Sequence, residues 1–246
     1  MKRKLLRGAV NGKTTIALAL SAVMTMGMIP SVYASDVSTI KDIPNSWARK
    51  AVEKAVENNM LTGYEGYVRP DDNITRAEVS VVLNKILGTE EAADISSFAD
   101  VKETDWFYSE MAKIVNAKIM SGDGNKLMPQ SEITRQELFI LVARVLGLSD
   151  GNEDVLSAFS DNSEIADWAK GSISALVEAG YVSGNDGKLN PSANMTRAEF
   201  AQILSNMAEK YIVSGGEYNE NVDGNIFVSA DGVTISGKIN GNVIIG

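Results

Sequence analysis

Thr75-Arg76-Ala77-Glu78, Thr134-Arg135-Gln136-Glu137 and Thr196-Arg197-Ala198-Glu199 are the stretches that decide the fold. Each reads as the opening of a helix. The Thr hydroxyl can accept from the backbone N–H three residues on while the Glu reaches back to the Thr N–H, which satisfies two of the donors a helix start leaves orphaned. Downstream, Val79, Val82, Leu83 and Ile86 fall at three- and four-residue steps, as do Leu138, Leu141, Val142 and Val145, and Phe200, Ile203, Leu204 and Met207. Each set predicts one buried helical face. The steps of 59 and 62 residues between the boxes also separate Trp47, Trp106 and Trp168, Gly63, Gly122 and Gly184, and Pro70, Pro129 and Pro191. Landmarks in common register describe an internal repeat.

Each repeat reads as helix, loop, helix. Ala48, Ala51, Val52, Ala55, Val56 and Met60 make an apolar stripe on the first helix, and Gly63, Gly66 and Pro70, or Gly122, Gly124 and Pro129, break the chain before the second. A two-helix repeat cannot cover its own stripe, so the three are expected to stack, with similar clefts between them. Their spans are 36–90, 91–150 and 151–213. Over 215–246 the period changes to two: Val222-Asp223-Gly224-Asn225-Ile226 returns 17 residues later as Ile239-Asn240-Gly241-Asn242-Val243. This segment reads as β-solenoid-like coils. Two coils leave an open strand edge, so the segment is expected to be truncated or to need a partner edge.

The first 34 residues read as a signal peptide: Lys2, Arg3, Lys4, Arg7 and Lys13 form a basic head, an apolar run covers Ile16 to Ile29, and small residues precede a cleavage point after Ala34. That run is shorter than a membrane span, so no stable membrane insertion is expected after its removal. The whole chain has 246 residues, 44% apolar, with 23 basic and 32 acidic side chains and a formal charge of −9. Removing the leader takes away five basic residues and leaves a charge of −14, which excludes nucleic acid as a partner through a broad basic surface. Neither histidine nor cysteine is present, which excludes thiol, Ser-His-Asp and His-ligated zinc chemistry. The loop acids Asp71, Asp72, Asp123 and Asp186 lack the spacing of an EF-hand and read as turn residues, so no metal or cofactor is expected.

Arg76, Arg135 and Arg197 are the candidate functional residues, because a cation in the first turn of a helix runs against the helix dipole. A local rule broken three times in register asks for a compensating partner. A carboxylate on a ligand would suit the paired donors of a guanidinium beside free helix-terminal N–H groups. An internal acid would also serve, with Asp42, Asp100 and Asp161 as candidates, and the two readings are compatible. For Trp47, Trp106 and Trp168 the alternatives are a buried staple at the start of the first helix, which is the favoured one, and a stacking surface for sugar.

The frame Phe98-Ala99-Asp100-Val101, Trp106, Gly122, Pro129 and Ile133-Thr134-Arg135-Gln136-Glu137, with its two companions between Asp36 and Tyr211, resembles the S-layer homology (SLH) domain. Ile40, where the family usually shows Phe, and Gln136, in place of Ala, depart from the pattern. The resemblance implies a mainly α fold of three SLH repeats in a pseudo-threefold bundle. It also implies a non-enzymatic, non-covalent anchor of an exported surface protein, located in the cell wall. The implied partner is a secondary cell-wall polysaccharide ending in a pyruvylated amino sugar, with peptidoglycan, or an anchored β-helix enzyme, as the alternatives. On that resemblance Arg76, Arg135 and Arg197 would meet the pyruvate carboxylate, Gly63, Gly122 and Gly184 would let sugar approach the backbone, and the tryptophans and Asp42, Asp100 and Asp161 would line or brace the groove.

Overall fold

A computed structural model describes residues 4–6, 14–16 and 37–246. The expected leader and its cleavage point at Ala34 lie for the most part outside the described residues. Six α-helices are present among them: α1 (Arg49–Glu57), α2 (Arg76–Leu87), α3 (Tyr108–Asn116), α4 (Arg135–Leu146), α5 (Asp167–Glu178) and α6 (Arg197–Met207). The described part is mainly helical. One compact unit takes in the described residues up to Val68, together with Lys85–Gly88 and Met207–Gly246; the other takes in Arg69–Asn84 and Thr89–Asn206.

The helices start and bury as their sequences dictate. Thr75, Thr134 and Thr196 each donate their backbone N–H to the Glu three residues on, at 2.9, 2.8 and 2.9 Å, and accept its N–H on the hydroxyl at 3.3, 3.4 and 3.2 Å. All three capping boxes are therefore closed. Every apolar residue named on the three second helices is buried, as are Ala48, Ala51, Val52, Ala55, Val56 and Met60 in the first repeat. Each large side chain among them contributes roughly 1.5–3 kcal/mol by leaving water. The left-handed residues Gly88 (φ 61°) and Gly147 (φ 66°) end α2 and α4.

In the second unit the three entries to α2, α4 and α6 meet in a closed ring. Ile74 donates its N–H to the Met195 carbonyl (2.9 Å), Met195 to Ile133 (2.9 Å), and Ile133 to Ile74 (3.1 Å). All three side chains are fully buried. Beside them Glu132 accepts from the side-chain amides of Asn73 (2.9 Å) and Asn194. These segments thus take the equivalent, threefold-related places that the repeat register predicts.

In the first unit, strands β3 (Lys210–Ile212), β5 (Ile226–Val228) and β7 (Val243–Ile245) pair in parallel, as do β4 (Gly216–Tyr218) and β6 (Val233–Ile235). Ile226 lies opposite Val243 and Gly216 opposite Val233, so the pairing follows the 17-residue step of the sequence. Asn225 accepts from Asn242, and Asp223 from Asn240, in side-chain ladders at the same step. Ile212, Val222, Ile226, Val228, Val233, Ile235, Ile239, Val243 and Ile245 form a separate core. The two sheets are completed by short antiparallel strands, β1 (Lys4–Leu6) on β7 and β2 (Thr14–Ile16) on β6.

Candidate functional site

The three arginines sit where the sequence places them, but their surroundings differ from the expectation in two ways. The N–H groups at the helix starts are not free. Arg76 and Ala77 donate theirs to the carbonyls of Ser131 and Pro129, Arg135 and Gln136 to Ala193 and Pro191, and Arg197 and Ala198 to Asp72 and Pro70. The loop of another repeat therefore occupies the place an anion would take at a bare helix terminus.

The internal acid, moreover, is a glutamate. Arg76 Nη1 lies 3.5 Å from Glu137 Oε1, Arg135 Nη1 2.7 Å from Glu199 Oε1, and Arg197 Nη1 2.8 Å from Glu78 Oε1. Each capping-box glutamate thus uses one oxygen on its own threonine and the other on the arginine of a different repeat, and the three pairs close a cycle. The guanidiniums are nearly enclosed, with side-chain exposures of 7, 12 and 12%, whereas the glutamates remain about one-third exposed. Burial pushes the Arg76 pKa down, and the neighbouring Glu137 and Asp100 charges oppose that shift.

Asp42, Asp100 and Asp161 brace the loops. Asp42 accepts the Val68 N–H (2.7 Å), Asp100 those of Leu127 (3.0 Å) and Met128 (2.8 Å), and Asp161 those of Leu189 and Asn190 (2.7 Å). Met128 and Asn190 have φ of 53° and 50° directly before a proline, a strained place for residues with side chains, and the carboxylates hold them there. Desolvation works to raise the Asp161 carboxyl, but the N–H bonds from Leu189 and Asn190 prevail and hold it below its ordinary value. A depressed carboxyl stabilises the fold above its unfolded pKa of about 3.9, and the contribution is lost as pH falls through the native value. Amide exchange at Leu189 and Asn190 is accordingly expected to stay slow relative to intrinsic rates at pH 5 and to lose protection below about pH 3.9. Unchanged protection in acid would remove this role.

Gly63, Gly122 and Gly184 are small because the protein itself fills the space. A Cβ at Gly122 would stand 2.3 Å from the Lys126 carbonyl and 2.8 Å from the Phe98 ring, and one at Gly184 2.6 Å from the Lys188 carbonyl and 2.8 Å from the Phe159 ring. At Gly63 the neighbours are the smaller Ile40 and the Tyr67 carbonyl, at 3.1 and 3.2 Å. Gln136, the other departure, accepts the Ala166 N–H just before α5.

The tryptophans overturn the buried-staple reading. Trp47, Trp106 and Trp168 are 66, 65 and 62% exposed. The buried slot goes instead to the following residue, Ala48, Phe107 or Ala169, which turns each indole outward. Sequence reasoning did not single out Tyr64 and Tyr67, which face each other across the hairpin of the first repeat and are both exposed, with the Lys41 ammonium 4.9 Å from the Tyr67 ring centre. Asp123 and Lys126, and Asn185 and Lys188, pair in the same way in the other repeats.

Among the described residues no helix is long and apolar enough to cross a membrane. The S-layer homology domain matches the chain at residues 39–80, 97–139 and 158–201. The chain is similar to an exoglucanase, XynX, of Acetivibrio thermocellus, with 30% identity over 74% of this chain and 17% of that protein. It is also similar to an amylopullulanase of Thermoanaerobacterium thermosulfurigenes, at 30% over 70% of this chain and 10% of the relative. A surface-layer 125 kDa protein of Lysinibacillus sphaericus is 30% identical over 78% of this chain and 17% of its own length. The chain therefore spans less than a fifth of each of these relatives. Kinship with surface-layer proteins indicates a cell-surface location. Three matched segments, covering just over half of the residues and carrying the closed capping boxes, the arginine–glutamate cycle and the outward indoles, establish that the chain belongs to the S-layer homology domain family.

Proposed function

We propose that the chain is the anchoring part of an exported surface protein, holding it non-covalently to the cell wall by gripping a secondary cell-wall polysaccharide that ends in a pyruvylated amino sugar. The observation that carries this reading is the set of three exposed indoles, one per repeat, in the same register. A large ring left in water three times over is an apolar surface suited to the C–H face of a sugar. The arginines supply the second half: a carboxylate on an otherwise neutral sugar is what a nearly enclosed guanidinium selects in a protein of strongly negative charge. Each contact is weak by itself. Three sites on a polymer with many ends gain from effective concentration.

The relatives support an anchor rather than a catalyst. Proteins named for polysaccharide cleavage and proteins named as surface layers share this region with the chain, and it is a small part of each. Those enzyme names, together with the parallel strands at a 17-residue step, favour a second reading in which the anchored cargo is a carbohydrate-active domain beginning as a β-solenoid at residue 215.

A titration of the full chain with a pyruvylated wall disaccharide and its non-pyruvylated twin tests the first reading. Binding is expected for the former, at least tenfold tighter than for the latter. Equal affinity for the two would reject the carboxylate, and retention on bare peptidoglycan with no affinity for either sugar would reject the polysaccharide.

A further inference from the structure

The three arginine sites are not equivalent. Arg76 uses every nitrogen of its guanidinium: Nε donates to the Leu127 carbonyl (3.0 Å), Nη2 to the Ser121 carbonyl (2.9 Å), and Nη1 faces Glu137 at 3.5 Å. Arg135 begins in the same way, with Nε on the Leu189 carbonyl (2.7 Å) and Nη1 on Glu199 (2.7 Å) and near Met195 Sδ (3.9 Å). Its Nη2, however, donates to none of the described residues, although the side chain is only 12% exposed.

The backbone accounts for the difference. The carbonyl that would correspond to Ser121 in the third repeat is that of Ser183, which takes no bond from Arg135. The residue after it, Gly184, has a φ of 71°, whereas Gly122 lies outside the left-handed region. This turns the Ser183–Gly184 peptide relative to its counterpart and removes the acceptor. Arg197 has partners beyond Glu78, so the comparison rests on Arg76 and Arg135.

Resting on the anchoring function proposed above, we infer that Arg135 is the guanidinium that receives the glycan carboxylate and that Arg76 is a structural clamp which does not. A carboxylate approaching Arg76 finds no donor without displacing a protein carbonyl. One approaching Arg135 finds Nη2 unspent, held in a fixed plane by the bonds to Leu189 and Glu199 and by the Phe139 ring, whose centre is 5.5 Å from the guanidinium carbon. The Glu199 charge is the one group beside it that opposes an anion, and it is already paired with Nη1. Lysine at position 135 would keep the charge but lose the planar fork.

The test uses the full chain and the pyruvylated disaccharide. Arg135→Lys is expected to weaken binding at least tenfold, and Arg76→Lys to leave the affinity of whatever fraction folds within about twofold. In the unaltered protein, the Arg135 side-chain 15N–1H signals should shift on adding the pyruvylated sugar and stay put with its twin, while those of Arg76 remain unmoved. Shifts at Arg76 without any at Arg135, or an Arg135→Lys protein that binds as well as the parent, would overturn the assignment. If the parent binds neither sugar, the anchoring reading itself fails, an outcome separate from either of these.

Discussion

Replacing Glu137 by alanine is expected to destabilise the protein by about 3 kcal/mol or more, because one side chain serves two repeats. Its Oε2 accepts from the Thr134 N–H at 2.8 Å and from the Thr134 hydroxyl at 2.6 Å, which closes the start of α4. Its Oε1 faces Arg76, the most enclosed of the three guanidiniums. Loss of a capping box costs on the order of 1 kcal/mol, and stripping a buried cation of its acid costs more, since the charge stays behind with only carbonyl dipoles for company. Glu137→Gln keeps an acceptor for the cap but not the charge, and should fall between alanine and the parent. The exposed Glu103 provides the control, with Glu103→Ala expected within about 0.5 kcal/mol of the parent. Urea unfolding of the four proteins measures all of this. A Glu137→Ala midpoint equal to that of the control would show that the cycle contributes nothing.

The opposite profile is expected for Trp47→Ala/Trp106→Ala/Trp168→Ala in one protein. All three indoles are mostly in water, and the slots beneath them are filled by Ala48, Phe107 and Ala169, so the fold should lose no more than about 1 kcal/mol in sum. Retention on wall sacculi should fall steeply. Each ring that leaves water against a sugar is worth roughly 1 kcal/mol or more, and three such losses multiply in affinity, since about 1.4 kcal/mol is tenfold. Co-sedimentation with purified sacculi, beside the urea curve of the same preparation, separates the two effects. Full retention by the triple variant would exclude the indoles from anchoring.

What could be read from the chain alone was whatever a single turn or one helical face determines. Thr134 and Glu137 announce a capping box because both partners lie within four residues, and Leu138, Leu141 and Val142 announce a buried face because 3.6-residue periodicity does. The ring through Ile74, Met195 and Ile133 was not legible beyond the repeat register, since its members lie 59 to 121 residues apart and only folding brings their backbones together. The same distance hid Glu199 as the acid for Arg135: within the sequence that glutamate already has an occupation, on Thr196, and nothing local says its second oxygen is spent elsewhere. Asp100 and Asp161 looked equally apt, yet both are consumed by loop N–H groups whose need follows from positive φ at Met128 and Asn190. The indoles were misjudged because a tryptophan at a helix start and a small residue beside it can exchange inside for outside without altering the pattern.

The triangle of backbone bonds at Ile74, Ile133 and Met195 has a consequence for how such a chain can evolve and bear load. In a linear array of repeats one more copy can be appended, or a terminal one lost, with the neighbours left intact. A closed circuit has no end at which to do so: deleting any member strands two others with unsatisfied polar groups in a dry interior. The copy number is thereby pinned at three, and tension delivered to one helix start is shared at once by the other two.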